Sequence, residues 1–277
     1  MTYNVICDSC TDLPRELATD PCVKKVPLSI QVGAETVVDD ETFRQGELLQ
    51  KMRAWPDAPK TACPSPSMYL EQFLEAGDSY VVTLSGQLSG SYNAAMQARA
   101  IYREEEKPGN VHVFNSRSAS AGQAQIALLI RELAGRGLPF AQVVEKVEAY
   151  IDRMKTLFVL ENLDNLRKNG RLTRMQSLVT GALRVKLLCG ATPEGEIQKL
   201  GQGLSVRQTL AKMVSRMAED PDHASRRLVI ANCNCPDRAE LLREMVRQKC
   251  RFGEILVVAT GGISTVYAND GGIVVAY

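Results

Sequence analysis

The sequence predicts a two-lobed α/β protein with parallel or mixed sheets and flanking helices. Three observations carry this. Short β-rich runs alternate with segments of helical periodicity, and the organisation of the chain changes near Met154. The composition is globular, with 45% hydrophobic and 23% charged residues among 277. A formal charge of +1 argues against unspecific binding to nucleic acid or acidic membrane, which needs a basic excess.

In chain order, strands are expected at 3–7 and 25–30. A Pro-fixed loop, 61–67, then carries hydroxyls ahead of a helix around 68–74. A strand at 80–84 leads through small residues into another helix, and a further strand follows at 111–114. Residues 122–133 are apolar nearly all round, which predicts a helix sandwiched inside the first half. Phe140, Val143, Val144, Val147, Ile151 and Met154 recur at three and four, one buried stripe. These elements form a first lobe over 1–153. The second, 154–277, opens with a strand at 157–160 and the basic stretch 167–174. A hairpin then turns at Pro193-Glu194-Gly195, followed by a helix striped by Val206, Leu210, Met213, Val214 and Met217, and by strands at 228–231 and 255–258.

No segment reads as a membrane span. The longest uncharged run, 79–98, holds four serines, a threonine, two glutamines and an asparagine, too polar for a bilayer. The N-terminus lacks a basic region before an apolar stretch. A cytoplasmic protein is expected, with its eight cysteines reduced.

Motifs of well-known chemistry are mostly absent. There is no phosphate loop and no dinucleotide fingerprint, and His112 and His223, the two histidines, cannot form H-E-x-x-H. Cys7-Asp8-Ser9-Cys10 spells C-x-x-C but ends a strand instead of opening a helix, and no second pair completes a zinc site. Ser85 and Ser89 lie between a strand and a helix, yet neither sits in G-x-S-x-G and neither histidine is placed as a base. A lysine base would still serve, so a serine-dependent hydrolase or acyltransferase is kept as an alternative.

The same stretch offers an anion site. Gly86 and Gly90 allow a tight turn, and Ser89 can cap the helix that follows, leaving free amides and a positive dipole end. Capping alone explains Ser89 equally well. Thr61 in the Pro-fixed loop poses the same choice.

The ordered set Asp8-Ser9-Cys10-Thr11-Asp12-Leu13, Thr61-Ala62-Cys63-Pro64-Ser65, Leu88-Ser89-Gly90-Ser91-Tyr92, Asn115-Ser116 and Leu166 to Leu172 resembles the DegV family over nearly the whole chain. The resemblance implies a bacterial protein that binds one long-chain fatty acid between its lobes, with no catalytic residue, cofactor or metal of its own. Some members present the lipid to a separate ATP-dependent fatty acid kinase. It further implies that Thr61 and Ser89 hydrogen-bond the carboxylate, with the Gly90 amide assisting, and that Arg171 and Arg207 meet the partner. Near the C-terminus the family shows a G-T-H-T-G-P-G-like turn whose histidine joins the carboxylate network, and Asn269 is taken to stand in its place. An amide there can donate a hydrogen bond but carries no proton charge, so a lipid sensor without kinase hand-off is a second alternative. Milder departures are Asn115 for an aspartate, Ala62 and Cys63 for polar residues, and Leu187 for a proline.

Overall fold

The computed structural model describes residues 2–74, 77–106, 109–172 and 185–277, so residues 173 and 174 of the basic stretch lie outside it. One lobe is built on a parallel sheet in the order β2-β1-β6-β7, comprising Val23–Val26 (β2), Tyr3–Asp8 (β1), Asp78–Thr83 (β6) and Val111–Asn115 (β7). Both faces are covered, as parallel sheets require. Alternation sends Val5, Cys7, Tyr80 and Val82 against α5 (Ala121–Gly135) and α6 (Phe140–Ile151). Ile6, Val81 and Val113 face α3 (Pro66–Leu74) and α4 (Ser91–Glu104). The chain leaves β1 for β2 on one side and later fills β6 on the other. This reversal opens a crevice beyond the carboxyl ends of β1 and β6.

The second sheet runs β10-β9-β8-β13-β11-β12. Its strands are Thr156–Val159 (β8), Lys186–Ala191 (β9), Ile197–Gly203 (β10), Arg227–Asn232 (β11), Glu254–Ala259 (β12) and Ile273–Ala276 (β13). β11 and β12 are parallel, and the other neighbours are antiparallel. Leu157, Val159, Leu228, Ile230 and Val275 point toward α8 (Val206–Ala218) and α9 (Pro236–Lys249). From the opposite face Val229, Ala231 and Ala276 pack on Ala121 and Ala124 of α5.

Helix α5 is therefore not confined to the first half, as its composition suggested; it is apolar all round because it serves both sheets. Gln125, 1% exposed, makes the polar link, donating from Nε2 to the carbonyls of Arg227 and Ala276, both at 2.8 Å. The stripe of α6 ends at Ile151, leaving Met154 beyond the helix.

A third, antiparallel sheet, β4-β3-β5, is formed by Ser29–Val32 (β3), Glu35–Val38 (β4) and Lys60–Ala62 (β5). The single strand expected at 25–30 is thus two, in different sheets. Pro27 has no amide to continue a ladder, and the Leu28 amide turns to Ser9 Oγ at 3.0 Å. Thr61, expected in a loop, lies in β5 opposite Ile30. Against this sheet and α2 (Gln45–Ala54) packs α10 (Gly262–Ala268). Among the described residues no helix is long and apolar enough to cross a membrane.

The hairpin turns where Pro193-Glu194-Gly195 predicted, and its tip reaches the first lobe. Ser85 Oγ donates to the Gly195 carbonyl at 2.8 Å. Gly195 has φ +91°, and a Cβ there would overlap Ser85 Oγ and lie 2.7 Å from Arg117 Cα. Gly195→Ala is expected to lower stability by roughly 2 kcal/mol or more, left-handed strain adding to overpacking. Gly137 has φ +79° but open space around it, so Gly137→Ala should lose only about 1 kcal/mol. Urea unfolding of both variants measures the difference, and equal losses would mean that the tip is not docked.

Candidate functional site

Between the lobes lies a cavity of about 330 Å³. Its walls are mostly apolar: Leu28 and Leu84 from one side, Phe158 and Val274 from the second sheet, Leu160 just beyond β8, and Ile263 from α10. The hairpin tip closes part of it with Gly195 and Ile197.

Hydroxyls and amides collect on the wall where β5, the loop after β6 and the end of α10 meet. Thr61 Oγ1 and Tyr267 Oη are 2.7 Å apart. Ser89 Oγ accepts the Ser91 amide at 3.2 Å and lies 3.0 Å from Ser91 Oγ. Ser89 is thus not the cap itself; Gly90 holds that position and gives α4 no side-chain cap. The helix start therefore faces the cavity with backbone donors. The two loops touch, since a Cβ on Gly90 would come 2.9 Å from Cys63 Sγ.

Three expected site residues, Thr61, Ser89 and Gly90, line this one cavity, but Asn269 does not face it. Its side chain accepts from Asn165 Nδ2 at 3.0 Å and donates to Asn162 Oδ1 at 3.3 Å, on the wall of a neighbouring cavity beside Trp55. The residue that points inward is Tyr267. The physical reason is backbone geometry: Asn269 has φ +56°, a conformation suited to glycine. Anchoring the last glycine of the G-T-H-T-G-P-G turn on Gly271 puts a glycine position at 269 and the histidine position at Tyr267. That register was the available signal.

Arg171, expected on a partner face, also lines the cavity. Its Nε donates to the Leu88 carbonyl at 3.1 Å and its guanidinium also meets the Asn169 carbonyl. Asn169 Nδ2 in turn holds the Pro59 carbonyl at 3.0 Å. The segment after α7 (Asp164–Lys168) thus ties down both hydroxyl-bearing loops. Arg207 is exposed on α8.

Behind this wall lie three buried carboxylates that sequence reasoning left without a role. Asp8 accepts the Leu84 amide at 2.6 Å, Gln123 Nε2 at 2.8 Å and the Cys10 amide at 3.2 Å. Asp12 accepts the Gly261 amide at 2.6 Å and the Ser120 hydroxyl at 2.5 Å. Asp39 accepts the amides of Gly262 at 2.7 Å and Ile263 at 2.9 Å. Burial pushes Asp8 and Asp12 up to about 6 against these donors. Burial likewise pushes the Cys7 and Cys10 thiols up, which suits core packing and not redox exchange. Ser85, fully buried, is engaged by Gly195, His112 pairs with Glu148 at 2.8 Å, and His223 meets the Asp220 carbonyl at 2.6 Å. Neither histidine lines the cavity.

A family model described as "Uncharacterised protein, DegV family" matches residues 2–277. A DegV domain-containing protein of Streptococcus gordonii is 32% identical over 279 residues, covering 100% of this chain and 99% of the relative. A DegV family protein from Ruminococcus gnavus, solved with vaccenic acid, is similar at a TM-score of 0.96 and 43% identity, over 100% of this chain and 99% of that one. The Streptococcus pneumoniae Fatty Acid Kinase (Fak) B3 protein, loaded with linoleic acid, is similar at 0.92 and 33%, with the same coverage.

The buried carboxyls fix a sign for stability. With folded values near 6 against about 3.9 in an unfolded chain, Asp8 and Asp12 hold protons in the fold that the unfolded chain has released. Their contribution is fully present below about pH 4 and is lost as pH rises through about 6. In chemical denaturation between pH 4 and 7.5, the stability of the parent minus that of Asp12→Asn should fall with rising pH and level off above about 7. A difference that grows with pH would reverse the assignment.

Proposed function

Because the chain belongs to the DegV family, we propose that it binds one long-chain fatty acid in the cavity between its lobes and presents the carboxylate to a fatty acid kinase. The observation that carries this reading is the polarity of the cavity: an apolar chamber with Thr61, Ser89, the Gly90 amide and Tyr267 gathered on one wall. A carboxylate leaving water must be hydrogen-bonded several times over, and charge-assisted bonds from hydroxyls and helix-end amides contribute about 1.5–3 kcal/mol each. The acyl chain adds about 0.8 kcal/mol per buried CH₂, on the order of 10 kcal/mol for a long chain before ordering costs. Tyr267 Oη and Thr61 Oγ1 can each donate to the ligand when their mutual bond opens.

The protein itself supplies binding and no chemistry. A serine nucleophile is disfavoured because Ser85 is locked to the hairpin carbonyl and Ser89 has a hydroxyl, not a base, beside it. Arg207, exposed on α8, is the candidate for meeting the kinase. Arg171 contributes differently, by holding the Leu88 carbonyl that precedes Ser89.

Native mass spectrometry of the purified protein should show the mass of one fatty acid that is lost on denaturation. Stripped protein should bind oleate one to one, and Thr61→Val, Ser89→Ala and Tyr267→Phe should each weaken it by roughly 1–3 kcal/mol. If all three bind like the parent, the carboxylate lies elsewhere. In the kinase reaction, Arg207→Glu should abolish acyl-phosphate formation with oleate affinity intact, whereas Arg171→Glu should lower both.

A further inference from the structure

The cavity carries polar groups at its other end as well. Thr156 and Phe158 of β8 and Leu160 just beyond it line one wall in alternation. Leu160 packs in the same cluster as Leu88 and Tyr267, beside the hydroxyl-bearing wall. Thr156 stands four residues back, roughly 13 Å away along an extended chain. There its Oγ1 lies 2.7 Å from Oγ of Ser118, which also lines the cavity and is 3% exposed. The neighbouring serines have local work: Ser116 Oγ accepts the Ser118 amide at 3.1 Å and donates to the Ser118 carbonyl at 3.0 Å, and Ser120 donates to Asp12. The Ser118 hydroxyl caps nothing. Besides Thr156 it reaches, among the described residues, only the Ala119 carbonyl at 3.4 Å, beyond the ordinary range for a hydroxyl donor. Room is nevertheless made for it, since a Cβ on Gly122 of α5 would lie 2.0 Å from Ser118 Oγ.

Two hydroxyls share one bond between them, so the pair keeps an O–H and several lone pairs to offer. We propose that Ser118 and Thr156 form a second polar subsite, which takes a hydroxyl group carried about ten carbons along the acyl chain, at about 1.3 Å of advance per carbon when extended. This rests on the fatty-acid reading above and names the class of fatty acid. An alcohol both donates and accepts, and so matches a pair that has both to give. A second carboxylate would not fit: the acid Glu196 lines the same end, and the cation there, Arg117, is paired with Asp152 at 2.9 Å. In a wholly apolar tunnel a ligand hydroxyl would leave water and find no partner. Here the pair restores both of its bonds.

The test measures displacement of a fluorescent fatty acid from the stripped full-length protein by stearate, 10-hydroxystearate and 5-hydroxystearate. The first hydroxy acid should bind at least as tightly as stearate. The second, whose oxygen would lie against Phe158 and Val274, should bind about tenfold more weakly, as a hydroxyl left without a partner requires. In Ser118→Ala and in Thr156→Val the ratio of 10-hydroxystearate to stearate affinity should fall about tenfold, and Thr156→Ser should keep the parent ratio. Should neither apolar variant fold, the ranking of the three ligands on the parent decides. Stearate bound more tightly than 10-hydroxystearate, equal affinity for the two hydroxy acids, or an unmoved ratio in a folded apolar variant would each overturn the proposal. Failure to bind any of the three would instead overturn the fatty-acid reading beneath it.

Discussion

Carboxylates from one part of the chain close on the free amides of a helix from another, and the cavity depends on this pairing. The first amides of α10 have no partners within the helix, and leaving them unpaired in the interior would destabilise the fold by about 1–3 kcal/mol each. Asp12 and Asp39, both buried, need donors just as much. Each group offsets part of the other's desolvation penalty. Asp8 repeats the arrangement at the end of β1, where it takes the Leu84 amide and so shapes the loop that leads to Ser89. The polar wall of the cavity is thus a surface layer of hydroxyls and amides over a second layer of buried acids.

Much of the architecture was legible because its cause is local. Strands buried on both faces read as apolar runs, and the stripes of α6 and α8 repeat at helical spacing. What could not be read depends on residues far apart in the chain. Asp12 and Gly261 are separated by 249 positions, and Asp8 and Leu84 by 76; in sequence these acids are indistinguishable from solvated loop charges. The all-round apolarity of α5 was visible, but one burying partner and two give the same pattern. Thr61 and Ser89 could be singled out because a hydroxyl beside Pro or Gly at an element boundary is a local signal. Tyr267 sits at the end of a seven-residue helix, where the spacing back from Gly271 is a weaker marker, and the positive φ of Asn269 shows which residue takes the turn.

Arg171 illustrates how a surface charge becomes part of a site. Its guanidinium engages the carbonyls of Leu88 and Asn169, and planar donors in a fixed fork suit that bridging better than a lysine ammonium would. A contact that perturbs this arginine would be transmitted to the loop bearing Ser89 through a single hydrogen bond.

The position of β13 has a consequence for how the protein is made. This strand, the last in sequence, lies in the interior of the six-stranded sheet, paired with β8 on one side and β11 on the other. During synthesis β8 and β11 emerge first, each with an edge whose only native partner has not yet been translated. Open edges of this kind are the surfaces through which nascent chains pair wrongly. The parallel sheet of the other lobe has all its strands by Asn115 and can settle early. The second sheet cannot close, and Val274 cannot complete the cavity wall, until translation passes Ala276. Closure of the cavity therefore waits for β13, and the half-made chain is where a folding chaperone would have most to protect.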